Sequence, residues 1–382
     1  MQPNVLEFLS DLVRYPSITP DECGIYELIC AQLPDFEVLH IDKGGVKNLF
    51  LYKRFGEPAS KALHFCFAGH IDVVPPGQGW GSDPFNPTLK EGYLYARGTQ
   101  DMKSGVAAFV CALRDCIKDF ANLKTPLILS VLLTSDEEGC GTYGTKIVLE
   151  VLEEKNLLPD MALVGEPTCT SKIGDNIKIG RRGSINGIIN LKGVQGHVAY
   201  PEKCINPIEL LGSKLGLLAG VNLDNGDEHF DASKLVITDI RGGMEAVNVT
   251  PGNVKIMFNV RNSTHTNLQS VQAYVENVLS GLEYDLDIKT SSQPFLTNAH
   301  CVLAQSLCEV VSQVCCVHPC FSTSGGTSDA RHFANFGVEV VEFGVINDRI
   351  HSVDERVSIK DLNILYEVYL NLIMRLKDKD EK

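Results

Sequence analysis

The sequence lacks any apolar run of the length that crosses a membrane. A spanning helix needs about 20 consecutive, predominantly apolar residues, and no segment approaches this length. The N-terminal stretch also lacks the basic start and apolar centre of a secretory signal, because Glu7 and Asp11 lie within an amphipathic pattern there. We therefore expect a cytoplasmic protein that has no membrane partner.

Positive charge is also scarce, with 34 Lys and Arg residues against 48 Asp and Glu residues and a formal net charge of −14. Nucleic acids and anionic membranes attract proteins that carry an excess of Lys and Arg. The charge balance therefore argues against both partners. With 44% hydrophobic residues the composition is that of an ordinary globular enzyme, and it says nothing sharper about the substrate.

Cysteines number 13, but their distribution does not predict disulfide bonds. They are odd in number, scattered and mostly embedded in apolar runs, which is typical of buried free thiols. The densest group is Cys315, Cys316, His318 and Cys320. Because it falls at a predicted helix-to-strand junction without the spaced ligand pairs of a structural zinc site, we do not assign it a metal.

The first part of the chain alternates helical patterns with continuous apolar runs that suit buried strands. The predicted strands are 62–70, 126–139 and 161–168, and the predicted helices are 4–14, 22–32 and 103–119. Buried strands separated by helices predict an α/β domain with a mostly parallel sheet and helices on both faces.

The pattern changes near residue 180 and returns after residue 294. Between them, strands at 184–193, 234–243, 253–261 and 284–290 and helices at 207–218 and 267–280 predict a two-layer α+β sandwich. After it come a helix at 300–314, a strand at 338–343 and a helix at 360–376. Since 382 residues exceed one ordinary core, we predict a domain of 1–179 and 295–382 with an inserted domain of 180–294.

Histidines and carboxylates recur directly after the predicted buried strands, where open α/β sheets bind their ligands. His70 ends one such strand, and Asp72 could accept a hydrogen bond from its ring. Glu166 follows another strand, and His351 lies near the end of the chain. Taken alone, His70 is better explained as a structural histidine than as a metal ligand.

Further acidic candidates follow turns in the same part of the chain. Asp101 stands where the helix 103–119 begins, so helix capping is the alternative to metal binding. Asp136, Glu137 and Glu138 follow a very apolar strand, where three adjacent carboxylates are costly without a cation. A solvated acidic turn is the alternative, but a metal is favoured here.

These residues are more specific together than singly. Two histidines and three carboxylates suit two borderline-hard divalent ions, with zinc favoured, and the predicted ligands are His70, Asp101, Glu138, Glu166 and His351. The two ions must share one carboxylate, and Asp101 is predicted to bridge them. A water between the ions would lose a proton near neutral pH, and Glu137 could accept it and deliver it to a leaving amine.

Five segments resemble the M20 metallopeptidase family, in this order along nearly the whole chain: GHIDVVPPG, GTQDMKSG, SDEEG, GEPT and IHSVDE. The resemblance implies two zinc ions per subunit, with cobalt as a substitute. His70, Asp101 and Glu166 would hold one ion and Asp101, Glu138 and His351 the other. It also implies that Asp72 orients His70 and that Glu137 is the general acid and base.

The resemblance extends to the inserted domain. It implies that this domain forms a homodimer and that His197 reaches the partner's active site. Thr99-Gln100, before Asp101, departs from the family, in which small residues are more usual; we expect this to affect the local turn and not the ligand.

The resemblance further implies hydrolysis of N-succinyl-L,L-2,6-diaminopimelate to succinate and L,L-2,6-diaminopimelate, in lysine biosynthesis and peptidoglycan precursor supply. This small-molecule substrate carries several carboxylates. The forked guanidinium groups of Arg181 and Arg261 are suited to bind them. The other predicted substrate-binding residues are Ser184, Tyr200, Asn248, Gly326, Thr327 and Asn347.

Related activities stay open, because the metal ligands do not distinguish them: acetylornithine deacetylase, aminoacylase or carboxypeptidase. A metal-bound but inactive binding protein is a further alternative. It would be expected to lack the proton-shuttling carboxylate, and Glu137 is present.

Overall fold

The computed structural model describes residues 4–57 and 61–377, which divide into two compact units. The first unit comprises Met1–Ile179, Thr297–Ser322 and Ser328–Lys382, and the second comprises Gly180–Leu296 and Thr323–Thr327. Relative to the domain limits predicted above, the short segment Thr323–Thr327 groups with the second unit. Residues 1–3, 58–60 and 378–382 of the predicted first domain lie outside the described residues.

Most helices of the described chain fall close to the predicted positions, but the helices Thr145–Glu154 and Ala330–Asn335 were not predicted. In chain order they are α1 (Val5–Val13), α2 (Ile25–Cys30), α3 (Lys103–Cys116), α4 (Thr145–Glu154), α5 (Pro207–Gly212), α6 (Leu215–Leu218), α7 (Leu268–Val278), α8 (Val302–Cys315), α9 (Ala330–Asn335) and α10 (Ile359–Lys377), with short 3₁₀ turns at Ile117–Phe120 and Pro201–Lys203. The single helix predicted at 207–218 is wrong, because two short helices lie there. Gly212 and Gly216 disfavour a continuous helix.

The strands divide between the two units. In chain order they are β1 (Glu37–His40), β2 (Asn48–Phe55), β3 (Leu63–His70), β4 (Thr88–Lys90), β5 (Tyr93–Tyr95), β6 (Leu127–Thr134), β7 (Met161–Val164), β8 (Asn176–Lys178), β9 (Gly180–Arg181), β10 (Ser184–Lys192), β11 (Gly196–His197), β12 (Lys234–Gly242), β13 (Val249–Thr250), β14 (Asn253–Arg261), β15 (Tyr284–Ser292), β16 (Phe295–Leu296), β17 (Cys320–Ser322), β18 (Glu339–Glu342) and β19 (Arg356–Ser358). Strands β1–β8 and β17–β19 belong to the first unit, and β9–β16 to the second.

The main sheet of the first unit has eight strands in the order β1-β2-β6-β3-β7-β18-β8-β17. The consecutive neighbours β6, β3, β7 and β18 are parallel, whereas β1 and β2 form an antiparallel edge. The predicted mostly parallel sheet is therefore confirmed for its centre. All eight residues of β6 are buried, so both faces of this strand are covered, as a parallel sheet requires.

The core of this unit packs apolar helix faces against alternate residues of the central strands. Phe67 of β3 stacks on Phe109 of α3, with ring centroids 4.3 Å apart, and Tyr369 of α10 meets both rings edge-on. These buried aromatic contacts hold the helices against the strands, which fixes the positions of the strand ends.

The second unit contains a four-stranded antiparallel sheet in the order β12-β14-β10-β15. Burial alternates along β10 and β14, so one face of the sheet forms the core with Val271 and Val275 of α7. Gly187 lies opposite Phe258 in the register, and the Phe258 ring occupies the space that a side chain at Gly187 would need.

All 13 cysteines are free, which confirms the prediction of free thiols. The expectation that they are mostly buried is wrong, because only Cys66, Cys111, Cys116, Cys169 and Cys308 are fully buried. Separately, no helix in the described ranges is long and apolar enough to cross a membrane.

Candidate metal centre

The predicted ligands of the first unit follow the ends of adjacent parallel strands. His70 is the last residue of β3 and pairs in register with Thr134, the last residue of β6. The chain after β6 carries Glu137 and Glu138, and Glu166 comes two residues after β7 ends at Val164. Parallel alignment therefore brings these side chains to one edge of the sheet.

Asp136 determines how the chain turns after β6. Its carboxylate accepts hydrogen bonds from the backbone N–H groups of Cys140, Thr142 and Tyr143. The strand predicted at 126–139 therefore ends earlier, at Thr134, because the following residues form a turn around this carboxylate. The turn leaves Glu137 and Glu138 free to reach the site.

His70 is buried, and both of its ring nitrogens lie close to acidic residues. Its Nε2 atom lies 3.2 Å from Oδ1 of Asp101 and 3.8 Å from Oε1 of Glu166. Its Nδ1 atom lies 2.9 Å from the backbone oxygen of Asp72 and 3.5 Å from its Oδ1. An N–H at Nδ1 donating to Asp72 leaves Nε2 as the nitrogen that faces the carboxylates.

Asp72 also holds the segment that carries the other acidic candidates. Its two carboxylate oxygens accept hydrogen bonds from the backbone N–H groups of Glu137, at 3.4 Å, and Glu138, at 3.1 Å. The residue predicted to orient His70 thus contacts His70 and the 137–138 segment together.

His351 approaches the same carboxylates from a loop near the C-terminus. Its Nε2 atom lies 2.8 Å from Oε1 of Glu138 and 3.3 Å from Oδ2 of Asp101. The two oxygens of Asp101 are therefore divided between the two histidines, Oδ1 facing His70 and Oδ2 facing His351. This is the arrangement expected of a carboxylate that bridges two metal positions.

The donor set fits divalent cations. Two groups of residues have potential ligand atoms that all lie within 4.8 Å of one another, namely His70, Glu137, Glu166 and His70, Asp101, Glu138. No other such group occurs within residues 4–57 and 61–377. Four carboxylates gathered at a buried strand edge repel one another, and bound cations would relieve that repulsion.

Burial and mutual repulsion raise the pKa values of two carboxylates of the site. Burial raises the pKa of Glu137 to about 8, a rise that His70 opposes and that Asp329 and Glu138 increase. Burial also raises the pKa of Glu166 well above its ordinary value, with repulsion from Asp101 adding to the effect.

Asp101 and His351 form the charged pair of the site. Burial disfavours the charged form of Asp101, but hydrogen bonds from His351 and His70 hold its pKa well below its usual range. Hydrogen bonds to Asp101 and Glu138 raise the pKa of His351 to about 10. Positive charge is thus favoured beside Asp101, which is the electrostatic condition for a cation there.

One buried acid that sequence reasoning did not assign to the site supports the ligand loop. Glu355 accepts hydrogen bonds from the backbone N–H groups of Gly98, at 2.9 Å, Gln100, at 2.7 Å, and Asp101, at 3.2 Å. It also forms a buried ion pair with Arg97, at 2.7 Å. The position of Glu355 in the IHSVDE segment was the one sign in the sequence that it belongs to the site. Its hydrogen-bonding partners could not be predicted, because they lie about 250 residues away in sequence.

Asn347 is the predicted substrate-binding residue of the first unit. Its side-chain Nδ2 lies 3.4 Å from the backbone oxygen of Pro167, next to the predicted ligand Glu166. Its backbone N–H donates to Cys169. Asn347 therefore lies against the loop that carries Glu166.

In the second unit, three predicted residues lie together on exposed backbone. His197 pairs with Val249 across β11 and β13, next to Asn248 in the chain. The ring of Tyr200 lies 6.0 Å from that of His197, and Tyr200 is 53% exposed. The backbone oxygen of Asn248 accepts from Val198.

The remaining predicted residues of the second unit occupy different environments. Arg181 is buried, and its Nη1 atom donates to the backbone oxygen of Gly326 at 3.2 Å, which places it beside Thr327. Ser184 is buried and accepts from the amide of Asn259 at 2.9 Å. Arg261 ends β14 and is exposed.

Comparisons with known proteins agree with the resemblance found in the sequence. Residues 66–375 match the profile of peptidase family M20/M25/M40. The chain is 55% identical over 386 aligned positions to a succinyl-diaminopimelate desuccinylase of Helicobacter pylori, covering 98% of this chain and all of the relative. A protein of the same name from Wolinella succinogenes is also 55% identical, over 373 positions, with the same coverage.

Solved structures share the fold at much lower sequence identity. Aminopeptidase PepT from Bacillus cereus superimposes with a TM-score of 0.79 at 20% identity, covering 97% of both chains. The YXEP protein of Bacillus subtilis, a dinuclear metal binding peptidase from the M20 family, gives a TM-score of 0.72 at 15% identity, covering 98% of this chain and 97% of that one. The sequence match over most of the chain and the shared fold together establish that this protein is a member of peptidase family M20.

Proposed function

We propose that this protein hydrolyses the amide bond of N-succinyl-L,L-2,6-diaminopimelate, releasing succinate and L,L-2,6-diaminopimelate. The observation that carries the chemistry is the division of the two Asp101 oxygens between His70 and His351, with Glu137 beside them. The substrate is proposed because the protein is 55% identical, over nearly its full length, to curated succinyl-diaminopimelate desuccinylases. This reaction belongs to lysine biosynthesis and the supply of peptidoglycan precursors.

The site is proposed to hold two divalent cations, zinc in the first instance, with cobalt as a substitute. His70, Asp101 and Glu166 would hold one ion, and Asp101, Glu138 and His351 the other. The imidazole and carboxylate donors match zinc, and the related YXEP protein is described as binding two metals. When bound, the ions supply Lewis acidity and a water that ionises near neutral pH.

Glu137 is proposed to carry the proton through the reaction. Hydrolysis adds the oxygen of water to the succinyl carbonyl carbon, breaks the carbon–nitrogen bond and places a proton on the departing amine. Glu137 is half-buried and its carboxylate lies among the proposed ligand atoms, a position from which a general base accepts the proton of the attacking water and later returns it to the leaving amine. The carboxylate of Asp72 accepts a hydrogen bond from the backbone N–H of Glu137 and so helps to hold Glu137 in place.

The second unit is proposed to bind the substrate and to form a homodimer. Arg181 offers a buried guanidinium to a substrate carboxylate, and Ser184, Asn248, Gly326 and Thr327 offer neutral hydrogen-bonding groups. Arg261, Tyr200 and Asn347 complete the proposed substrate contacts. His197 is exposed on β11 and is proposed to steady the carbonyl oxygen in a partner's site.

A cytoplasmic location is proposed with this function, because a biosynthetic intermediate is the substrate. Neither nucleic acid nor membrane is proposed as a partner, since the formal net charge is −14.

The test is a substrate panel on the purified full-length protein loaded with Zn²⁺. N-succinyl-L,L-diaminopimelate, N-acetylornithine, N-acetyl amino acids and dipeptides would be assayed for amine release. We expect kcat/KM for the succinylated diamino acid to exceed every other value by about 10- to 150-fold, the effect of a missing charged contact. Brisk turnover of an acetylated substrate without succinate release would overturn the assignment.

A further inference from the structure

Gln100, the residue before the proposed bridging Asp101, is a buried cross-link between two loops. Its side-chain Nε2 atom donates to the carboxylate of Asp348 and, at 2.7 Å, to the backbone oxygen of Arg356. Its Oε1 atom accepts from the backbone N–H of Arg349 at 2.9 Å. The amide is only 3% exposed and both of its ends are used.

The loop tied down by Gln100 carries His351. Residues 347–355 contain no helix or strand, and His351 has a φ of 59°, in the left-handed region that non-glycine residues seldom adopt. The side chain of His351 is 47% exposed, so packing alone does not fix it. A conformation of this kind persists only where surrounding contacts enforce it.

The contacts that fix the two sides of this loop differ in kind. On the C-terminal side, Glu355 binds backbone N–H groups of residues 98, 100 and 101, which any residue type would supply. Two residues before His351, the contact to the Asp101 loop is made by the side chain of Gln100. A small residue at position 100 could not reach Asp348 or Arg349.

We propose that Gln100 is a positioning residue for the second metal position, the one formed by Asp101, Glu138 and His351. By holding residues 348 and 349 against the loop that carries Asp101, it sets the distance between the two ligands Asp101 and His351. It bears less on the first position, because Asp101 is shared but the other two ligands, His70 at the end of β3 and Glu166 just after β7, are held by the main sheet. This inference depends on the two-metal site of the proposed function.

The direct test is metal binding by full-length Gln100→Met, which keeps the length of the side chain and removes its hydrogen bonds. Stepwise Zn²⁺ and Co²⁺ dissociation constants would be measured by competition with a chromophoric chelator, and metal content after dialysis by mass spectrometry. Loss of a direct hydrogen-bonding partner of a metal ligand costs about 10- to 100-fold in affinity. Gln100 acts on His351 through residues 348 and 349, so this range is an upper bound for its effect. We expect a loss of about 10-fold for the weaker ion and a change of less than about threefold for the tighter one.

Matched variants separate positioning from a general loss of stability. Gln305→Met removes an amide-to-carbonyl hydrogen bond of 2.7 Å to Ala299 in the same unit and should leave both constants unchanged. Asp348→Ala removes one Gln100 contact at a half-exposed side chain and should weaken the second ion less than Gln100→Met does. Gln100→Glu with Asp348→Asn restores that contact with donor and acceptor exchanged and should recover part of the affinity.

The outcomes distinguish this inference from the proposed function. A wild-type protein that binds fewer than two ions would contradict the two-metal site itself. Two ions in the wild type and unchanged affinities in Gln100→Met would overturn the positioning role. Equal weakening of both ions would also overturn it, because the effect would then not be specific to the His351 side.

Discussion

Three of the five predicted metal ligands of the first unit are buried charged groups, whereas several of the predicted residues in the second unit are exposed. His70, Asp101 and Glu166 are each no more than 8% exposed, and each contacts another member of the set or lies within reach of it. In the second unit Tyr200 is 53% exposed and Arg261 lies at an open strand end.

The difference reflects how each unit builds its surface. Neighbouring parallel strands end at one edge, so residues far apart in sequence converge there and create a concentrated electrostatic site. The antiparallel sheet of the second unit buries one face and leaves the other open, which suits recognition and association. We therefore expect substitutions in the first unit to abolish chemistry and those in the second to change selectivity or assembly.

The largest effect is expected for Glu137→Gln in the first unit. Removing a positioned general acid and base costs about 100- to 10,000-fold in rate, so kcat should fall by that amount while metal content, measured by mass spectrometry, stays at the wild-type value. Glu153→Gln, on exposed α4 of the same unit, is the control. Retained activity in Glu137→Gln would remove this residue from the mechanism.

Arg181→Ala tests whether the buried arginine of the second unit binds the succinyl carboxylate. Losing a charged hydrogen bond costs about 1.5–3 kcal/mol, or roughly 10- to 150-fold. We expect kcat/KM to fall by this factor for the succinylated substrate and by less than about threefold for an acetylated one. Arg241→Ala, an exposed arginine paired with Asp239, is the control, and equal losses on both substrates would favour a structural role for Arg181.

Assembly through the open sheet of the second unit is tested at its edge strand β12, which exposes Val236 and Ile240. Lysines at both positions should convert the proposed dimer to a monomer in sedimentation velocity, because exposed lysines on an edge strand oppose pairing. The control, Asp287→Lys, alters the opposite edge strand β15. Dissociation by the β15 variant and not by the β12 variant would place the interface at the other edge.

The smallest effect on activity is expected for His64, a buried histidine of the first unit whose Nε2 lies 2.7 Å from Ser130 Oγ and whose role concerns stability. Burial lowers its pKa to about 4, so between pH 6.5 and 4 the unfolded chain binds a proton that the folded chain does not. The free energy of unfolding should therefore fall as pH decreases through this window, by about 3 kcal/mol from this group.

The His64 contribution is measured by urea unfolding at a series of pH values. His64→Gln should have a flatter dependence of stability on pH in this window than the wild type, while His300→Gln, at an exposed position, should keep the wild-type slope. An unchanged slope in His64→Gln would show that other groups account for the acid sensitivity.

Much of the fold could be read from the sequence because burial on both faces leaves a strong signal. The strands β3, β6 and β7 appear as continuous apolar runs, and helices α3 and α10 have clear apolar faces. The antiparallel strand β2 was not predicted, because its polar end, Lys53 and Arg54, breaks both the continuous and the alternating patterns.

The hydrogen bonds that hold the loops of the site together were harder to predict from the sequence. The carboxylate of Glu355 binds residues more than 250 positions earlier, and Gln100 binds residues nearly as far ahead. Such partners have no periodicity in the sequence, because they depend on which loops the folded sheet brings together. Gln100 was visible only as a departure from a motif, and its three contacts give that departure a physical meaning.

By itself the sequence determined the type of chemistry, since histidines and carboxylates placed after buried strands leave few uses other than holding cations. It also determined the mostly parallel centre of the main sheet. Only the tertiary structure decided that each oxygen of Asp101 faces a different histidine, and that Asp72, Glu355 and Gln100 hold the ligand loops. The physical reason is that side-chain types are local, whereas the distances between them are set by strand register and loop packing.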